Sequence, residues 1–348
     1  MGKTWLRTLA KIAGYGILFL FAAAAVALTF TVGWRPIIGA KKRPLTSRRF
    51  EATPERLRRG QYLTRAVIPC MGCHSEWDDK ANPPVMTSAP GAGQLLFEDG
   101  GLKVYARNIT PDTETGIGNW SDDAIARAIR EGISADGSPL FPAMPYEHFR
   151  HLSDEDLASI VVYLHTLPPV HHQVPRSTVP FPLSRLILSA PQPVIAPVAE
   201  TDLSGLVKRG AYLTTIAICT DCHTPNTPPP MVGPIPGMDW AGGTVFDDGV
   251  TSANLTPDPS GIGYYDEALF LQTIRTGTVR ARNLKPPMPW PIYRNMTDDD
   301  LKSVFAFLRT VKPVHHMVDN TEPPTLCKRC NQRHGLGDRN LAANITPQ

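Results

Sequence analysis

The chain has 348 residues and a formal net charge of +3 at neutral pH. This length predicts two domains with additional segments rather than a single domain. So small a charge, with no Lys/Arg-rich run in the main body, argues against nucleic acid as a partner. Proline is unusually frequent, with 35 residues, which favours short helices joined by ordered loops because proline ends helices.

The first 40 residues predict a membrane anchor. No charged residue occurs from Ile12 to Trp34, a stretch of 23 residues. As a helix it would be about 34 Å long, enough to cross a hydrocarbon core of about 30 Å. The apolar run is longer than the roughly 7–15 residues of a cleaved signal peptide. Small residues at 25–27 nevertheless keep the cleaved signal as an alternative.

The rest of the chain is a tandem repeat. The matching segments are RRGQYL (58–63) with KRGAYL (208–213), NITPDTETGIG (108–118) with NLTPDPSGIG (254–263), and the segment 143–170 with 287–314. One fold used twice explains this match. We therefore predict two domains, 51–170 and 202–316, joined by a proline-rich linker (171–201) and followed by a tail (317–348).

Both halves carry the same helix signals. The first half begins a helix at Thr53, an N-cap followed by proline. A second helix is expected from near Trp120 and Tyr265, and a last helix after Ser153 and Thr297. The last helices carry apolar residues at i, i+3, i+4, i+7 spacing, namely Leu157, Ile160, Val161 and Leu164, and Leu301, Val304, Phe305 and Leu308. The chain is therefore predicted to be mainly α-helical.

Glycines occupy equivalent positions of the first helices. A glycine inside a helix costs about 1 kcal/mol relative to alanine, so we expect a compensating contact. Gly60 and Gly210 are predicted to let these helices cross the last ones at close range, near Tyr163 and Phe307.

All six cysteines occur in C-x-x-C pairs, and two pairs are followed at once by histidine. The two motifs are Cys70, Cys73 and His74, and Cys219, Cys222 and His223. C-x-x-C-H is the attachment pattern of c-type haem. Two thiols three positions apart on a helical turn can each bond one haem vinyl group, and the next histidine is then held against the iron. Two copies in a matched repeat favour this interpretation over a disulfide or half of a zinc site, so we predict two covalently bound haems.

The second axial ligand should recur at equivalent places in the two halves. Met144 and Met288 do so, and each is followed by proline. Met86 and Met231 are the competing pair, only 12 and 8 residues after their histidines. Iron held by histidine and methionine has no open position for a substrate. The pattern therefore predicts electron transfer rather than activation of oxygen or peroxide.

Four further polar residues need an interpretation. Arg130 and Arg275 match between the repeats and are expected to pair with haem propionates, with ordinary salt bridges as the alternative. His148 and His151 have no histidine counterpart in the second half. We interpret these two as surface or loop residues.

These motifs together resemble the cytochrome c subunits of bacterial membrane-bound dehydrogenases for alcohols, aldehydes and gluconate. The resemblance covers roughly residues 52–315, and the N-[IL]-T-P-D…GIG element is its most specific part. It implies a class I cytochrome c fold in each half, with His74/Met144 and His223/Met288 as axial pairs. It also implies a relay of electrons from a catalytic dehydrogenase subunit toward quinone, an oxidase or another cytochrome, without substrate chemistry of the chain's own.

Location follows from the attachment motifs, because bacteria attach haem to them outside the cytoplasm. Basic residues flank both ends of the apolar stretch, so charge alone does not fix its orientation. We expect a single-pass protein of the inner membrane with both haem domains in the periplasm. The alternatives are the di-haem subunit of a terminal oxidase, and a di-haem enzyme of the peroxidase or thiosulfate-oxidising type, which needs one iron to be open or differently ligated.

The third cysteine pair departs from the resemblance, since many of those subunits carry three haems. Cys327 and Cys330 are followed by Asn331 rather than histidine, and a faint "ANITPQ" at 343–348 comes too soon for a third domain. We expect a small disulfide in a vestigial tail. The alternative is a metal site that uses both cysteines and His334 but lacks a fourth ligand in the sequence.

Overall fold

The protein is described by a computed structural model that covers residues 2–31, 33–227, 233–246 and 248–341. The chain is mainly helical, as predicted, with 37% helix and 10% strand. The α-helices are α1 (Gly2–Phe30), α2 (Arg35–Ile38), α3 (Pro54–Tyr62), α4 (Cys70–Cys73), α5 (Asp122–Glu131), α6 (Tyr146–Phe149), α7 (Asp154–Leu164), α8 (Leu183–Leu186), α9 (Leu206–Ile216), α10 (Cys219–His223), α11 (Glu267–Thr276), α12 (Trp290–Tyr293) and α13 (Asp298–Leu308). Met231 and the "ANITPQ" segment lie outside the described residues.

The strands form four antiparallel two-stranded ribbons in the described ranges. They are β1 (Trp77–Asp78) with β2 (Val85–Met86), β3 (Gln94–Asp99) with β4 (Leu102–Ala106), β5 (Thr278–Val279) with β6 (Arg282–Asn283), and β7 (Pro324–Leu326) with β8 (Arg333–Gly335). The β3–β4 hairpin, with a register shift between Leu95 and Phe97, belongs to the first half. The sequence did not predict these ribbons.

Helix α1 is long and apolar enough to cross a membrane. Its segment Arg7–Phe30 has a mean hydropathy of 2.1, and none of the segment is buried inside the protein. Such a helix suits either a membrane anchor or a signal sequence. It ends at Phe30, a few residues before the end of the charge-free stretch that the sequence showed.

The first and last helices of each half cross at the predicted glycines. A Cβ added to Gly60 would lie 1.9 Å from the carbonyl oxygen of Ser159, and one added to Gly210 would lie 1.9 Å from that of Ser303. The Cβ atoms of Tyr163 and Phe307 are the next neighbours. The prediction of close crossings of α3 with α7 and of α9 with α13 is confirmed.

The predicted caps are also confirmed. The side chains of Thr53, Ser153 and Thr297 accept hydrogen bonds from backbone N–H groups of the first helical turn. The predicted apolar residues of α7 and α13 are buried. Each half therefore packs its last helix as the sequence pattern indicated.

The asparagine of the N-[IL]-T-P motif joins two loops in each half. The side-chain amide of Asn108 donates a 2.7 Å hydrogen bond to the carbonyl of Val170, and that of Asn254 donates a 2.8 Å bond to the carbonyl of Val314. In the first half, the asparagine oxygen accepts from the backbone N–H of Thr110. The motif thus holds the chain that leaves the last helix against the loop that follows the haem motif.

The linker is more ordered than predicted. It contains α8 and a 3₁₀ turn at Ile187–Ser189, and both contact α2. Thr178 and Lys103 exchange backbone hydrogen bonds of 2.8 and 2.9 Å, which attach the start of the linker to β4. The prolines obscure the two short helical turns, but the apolar segment 184–190 (SRLILSA) already predicts packing against the protein rather than a free linker.

The two halves pack on each other, and each contributes a tyrosine that hydrogen-bonds to an aspartate of the other half. The hydroxyl of Tyr62 donates to the carboxylate of Asp300 at the start of α13. The hydroxyl of Tyr212 donates to the carboxylate of Asp156, at 2.6 Å, at the start of α7. Buried apolar residues of both halves form one continuous cluster. The halves are therefore rigidly apposed rather than joined only by the linker.

Candidate haem-attachment sites

Both C-x-x-C-H motifs begin in a single helical turn. Helix α4 holds Cys70 and Cys73, and α10 holds Cys219 and Cys222. All four thiols are free and partly buried. Burial raises the pKa of Cys70 and of Cys219 to about 12. The turns present pairs of protonated thiols on the spacing that attachment to two vinyl groups requires.

The two histidines are oriented in the same way. The Nδ1 atom of His74 lies 2.6 Å from the carbonyl oxygen of Arg107, and that of His223 lies 2.7 Å from the carbonyl of Ala253. Only a protonated Nδ1 can donate to a carbonyl, so Nε2 of the neutral ring keeps its lone pair. Among the residues that the structure describes, no hydrogen bond to either Nε2 is formed. This is the tautomer that an iron ligand needs.

Burial also keeps both imidazoles neutral. It lowers the pKa of His74 and of His223 below the ordinary value of a histidine, although the carbonyl contact works in the opposite direction. The histidine backbones are fixed as well. Gly93 and Gly242 each donate a 2.8 Å hydrogen bond to the carbonyl of their histidine. Contacts of the protein main chain alone thus hold both rings in place.

Met144 and Met288 occupy equivalent loops. The Met144 carbonyl accepts the N–H of Tyr146 at 2.8 Å, and the Met288 carbonyl accepts the N–H of Trp290 at 2.9 Å. Both methionines are half-buried and pack against the same apolar cluster as Cys70 and Cys219. A short helix, α6 or α12, separates each methionine from the last helix of its half.

A glycine with positive φ packs against the aromatic residue of each Met-Pro loop. Helix α5 ends at Gly132 with φ +68°, and α11 ends at Gly277 with φ +70°. A Cβ on Gly132 would lie 2.5 Å from the ring of Tyr146, and one on Gly277 would lie 2.4 Å from the ring of Trp290. Glycine is required at both places by conformation and by space. The aromatic residue two positions after each methionine is therefore held against a helix end.

The competing methionine lies in a ribbon near the first motif. Met86 pairs with Trp77 across β1 and β2, and the Trp77 indole donates a 3.0 Å hydrogen bond to the Met71 carbonyl. Met86 is half-buried against the apolar cluster as well. Burial and packing therefore do not distinguish Met86 from Met144 as the iron ligand of the first half.

Arg130 and Arg275 form ion pairs within the protein. Each binds the first aspartate of the last helix of its half, Asp154 or Asp298, at 2.5 Å. This is the salt-bridge alternative considered for the sequence. The buried Nε of Arg130 has no partner in the part of the chain that the structure describes. Contact of either arginine with a haem propionate stays a prediction.

The two motifs lie close together where the halves meet. A Cβ on Gly72, inside the first motif, would lie 2.9 Å from the side chain of Ile292 in α12. The hydroxyl of Tyr293 in the same helix donates a 2.6 Å hydrogen bond to the carbonyl of Ala217. Burial raises the pKa of Tyr293 well above its ordinary value, and negative charge on Cys219, Cys222 and Cys73 would raise it further.

His148 is a member of this junction that sequence reasoning missed. Its Nε2 pairs with the carboxylate of Asp221, which lies inside the second motif. Its interpretation as a surface or loop residue is wrong, because it is a half-buried residue of α6 that reaches across the two halves. A contact 73 positions away in sequence leaves no mark in a repeat comparison, since the second half has no matching histidine. His151 is exposed, as predicted.

Comparison with known proteins identifies relatives of this chain. No protein-family model matches it. It is 30% identical over 280 residues to the gluconate 2-dehydrogenase cytochrome c subunit of Pantoea cypripedii, covering 75% of this chain and 60% of that protein. It is 30% identical to the fructose dehydrogenase cytochrome subunit of Gluconobacter japonicus, covering 73% of this chain and 52% of that protein. The chain is homologous to cytochrome c subunits of dehydrogenases.

Another relative carries two haems by its name. The chain is 28% identical over 219 residues to a "Diheme cytochrome c-type" protein of Cereibacter sphaeroides, covering 56% of this chain and 72% of that protein. The chain spans only about half to three-fifths of the length of the dehydrogenase cytochromes named above. Relatives that are named as cytochrome c subunits, and one that is named as a di-haem cytochrome, support a cytochrome c with covalently bound haem.

The side chains present fit that cofactor. Each motif offers two protonated thiols beside a neutral histidine whose Nε2 is available, and each half adds a half-buried thioether. Such a donor set, one imidazole and one thioether on an iron, suits haem c.

Proposed function

We propose that the chain is a membrane-anchored di-haem c-type cytochrome that relays electrons from a periplasmic dehydrogenase toward quinone, a terminal oxidase or another cytochrome. One observation carries the proposal: both C-x-x-C-H histidines donate Nδ1–H to a backbone carbonyl in the same geometry. Two independent motifs with one orientation indicate two equivalent cofactor sites.

In this proposal each half would supply both protein ligands of its iron. His74 and His223 would bind it through Nε2, and Met144 and Met288 would bind it from the Met-Pro loops. The haem iron supplies reversible one-electron chemistry, and a thioether ligand favours its reduced state. The protein contributes the covalent link through the cysteine pairs, the orientation of the histidines, and an apolar surrounding that excludes water.

The packing of the first motif against α12 supports a relay. Gly72 of the first motif touches Ile292, and Tyr293 in the same helix is held on the main chain just before the second motif. We infer that both cofactors lie near this junction, so that an electron can pass from one half to the other within the protein.

Helix α1 is the proposed anchor, with both halves on the periplasmic side. Basic residues follow the helix, which would oppose that orientation. The periplasmic side is proposed instead from the attachment motifs, because bacteria attach haem to them outside the cytoplasm.

The test replaces each proposed thioether ligand in the full-length protein. Met144→Ala and Met288→Ala should each open one iron, so each variant is expected to bind carbon monoxide and to lower the reduction potential of one haem. The unmodified protein should bind none, because both irons are closed. The readouts are the carbon monoxide difference spectrum and a redox titration.

Met86→Ala is the matched control and should leave both properties unchanged. Opening of an iron by Met86→Ala, but not by Met144→Ala, would reassign the ligand. Carbon monoxide binding by the unmodified protein would instead favour a di-haem enzyme of the peroxidase or thiosulfate-oxidising type. Isolation of a terminal oxidase, rather than a dehydrogenase, with the protein in mild detergent would favour the oxidase subunit.

A further inference from the structure

The third cysteine pair lies in a cluster of two cysteines and two histidines, which is unlike the surroundings of the first two pairs. His316, Cys327, Cys330 and His334 place one nitrogen or sulfur atom each within 4.8 Å of one another. All four side chains are buried, with at most 1% of any of them exposed. The cysteines are free, so the disulfide expected from the sequence is not formed.

The fourth ligand was invisible in the sequence because it lies outside the tail. His316 is the last residue of the second predicted domain, 11 positions before Cys327. The chain folds back between them, and β7 and β8 pair with Thr325 opposite His334. This short ribbon presents the cysteine pair and His334 toward His316.

We propose that these four side chains bind one zinc ion in a closed, tetrahedral, structural site. The Nε2 atom of His316 lies 3.4 Å from Sγ of Cys327, and Nε2 of His334 lies 3.4 Å from Sγ of Cys330. Zinc bonds of about 2.3 Å to sulfur and 2.0–2.1 Å to nitrogen put neighbouring tetrahedral ligands roughly 3.5 Å apart. The observed spacing fits a single ion.

The histidines are oriented for a metal by contacts behind them. Nδ1 of His316 lies 2.9 Å from the Ala241 carbonyl, and Nδ1 of His334 lies 3.0 Å from the Gly335 carbonyl. Both rings therefore direct Nε2 into the cluster. Carbonyl contacts of this kind accompany most metal-bound histidines.

Ligand chemistry and charge select zinc. Two sulfur and two nitrogen ligands in a tetrahedron are typical of zinc. Two thiolates also neutralise a divalent cation, so the buried site carries no net charge, which a buried position requires. A two-iron cluster with two histidines would place the cysteines on one iron and the histidines on the other. Here each cysteine instead lies beside a histidine.

The chain contains its own comparison for this site. His172 is the equivalent of His316 in the first half, and its Nδ1 lies 2.9 Å from the Ala92 carbonyl, the equivalent of Ala241. His172 is exposed, and within the described residues no hydrogen bond joins it to a cysteine. Both halves therefore have this histidine, but only in the second half does the C-terminal tail place cysteines beside it.

The zinc would fasten the tail to the second half beside its haem motif. Cys327 and Cys330 form a small buried cluster with Met238, Ala241 and Val314. The residue after Ala241 is Gly242, whose N–H donates to the carbonyl of His223. Loss of the metal should therefore disturb the environment of the second haem more than that of the first, an expectation that rests on the proposed function.

The experiment measures zinc in the full-length protein, purified without a histidine tag from cells grown with added zinc. We expect one zinc per chain, a loss of at least tenfold in Cys330→Ser, and unchanged zinc in His172→Gln. Zinc-edge X-ray absorption of the unmodified protein should show two sulfur and two nitrogen neighbours, which keeps the test valid if the serine variant does not fold.

Several results would overturn the assignment. These are absence of zinc, iron in excess of haem, undiminished zinc in Cys330→Ser, and resistance of Cys327 and Cys330 to alkylation until a reductant is added. Zinc content does not depend on haem. Failure of the haem proposal would therefore leave this test intact.

Discussion

His148 in the first half pairs with Asp221, which lies inside the C-x-x-C-H motif of the second half. Burial alone would lower its pKa, but pairing with Asp221 outweighs burial and raises the pKa, with a smaller contribution from Glu147. A histidine whose pKa is raised on folding stabilises the protein fully below its unfolded pKa of about 6.5. This stabilisation is lost as pH rises through the higher, folded pKa.

We therefore predict that His148→Gln destabilises the protein most below pH of about 6.5, by up to about 1 kcal/mol for a partly exposed pair, and progressively less above. Thermal unfolding measured across this pH range tests the trend. His151→Gln is the control, because partial desolvation of this largely exposed ring, with repulsion from Arg150, lowers the pKa of His151, so its effect should run the opposite way. A pH-independent effect of His148→Gln would show that the ion pair contributes nothing.

Residues that act within one half were predictable from the sequence, and residues that act between distant segments were not. The caps at Thr53, Ser153 and Thr297 follow from local chemistry, and the repeat identified Gly60 and Gly210. His316 has an equivalent in the first half, yet only the folded tail brings cysteines to it. Local signals and repeats do not encode such contacts.

At the scale of elements, the helix crossings position the attachment turns. Helix α3 continues through a π-helical turn, Leu63–Val67, into the first motif, and α9 ends shortly before the second. A shift of either helix would therefore move a histidine. The long helices were predicted because their periods are clear, whereas α6, α12 and the ribbons are too short to show a period.

The glycine crossings provide a direct test at this scale. Gly60→Ala and Gly210→Ala would each place a methyl group 1.9 Å from a backbone oxygen, so the helices must separate. We expect each substitution to lower the free energy of unfolding by at least about 1–3 kcal/mol, the usual cost of overpacking. Denaturant unfolding followed by helical circular dichroism measures this change.

Gly205→Ala is the matched control for the crossings. Gly205 is the N-cap residue of α9, and a Cβ there meets no atom within 4 Å. Its substitution should leave stability nearly unchanged. Equal stability of the Gly60→Ala and Gly205→Ala proteins would mean that the crossing is looser than the structure indicates.

At the scale of the whole molecule, the first half is fastened to what precedes and follows it. Arg43, just beyond α2, binds the buried Asp123 at the start of α5, while the linker joins β4 through Thr178 and α7 through the carbonyl of Val198. The proposed anchor therefore leads directly into an ordered domain. Such an arrangement would fix the distance of the cofactors from the membrane.

The interface between the halves rests on two reciprocal tyrosines. Each accepting carboxylate is buried and is also bound by an arginine of its own half: Asp156 by Arg59 at 2.7 Å, and Asp300 by Arg209. Burial, and then the contact with Asp300, raises the pKa of Tyr62 to about 12. Both tyrosines therefore stay protonated donors across the physiological pH range.

Removal of both hydroxyls should loosen the interface without unfolding either half, since the arginines keep the carboxylates paired. In Tyr62→Phe/Tyr212→Phe we expect a loss of about 1–3 kcal/mol per hydrogen bond to a charged acceptor, measured by calorimetry. If the chain binds the two proposed haems, slower equilibration of electrons between them after photoreduction should accompany this loss. Tyr105→Phe is the control, because the Tyr105 hydroxyl makes no hydrogen bond to any residue within the described ranges. Unchanged equilibration in a destabilised double variant would mean that the proposed path between the haems does not depend on these two tyrosines.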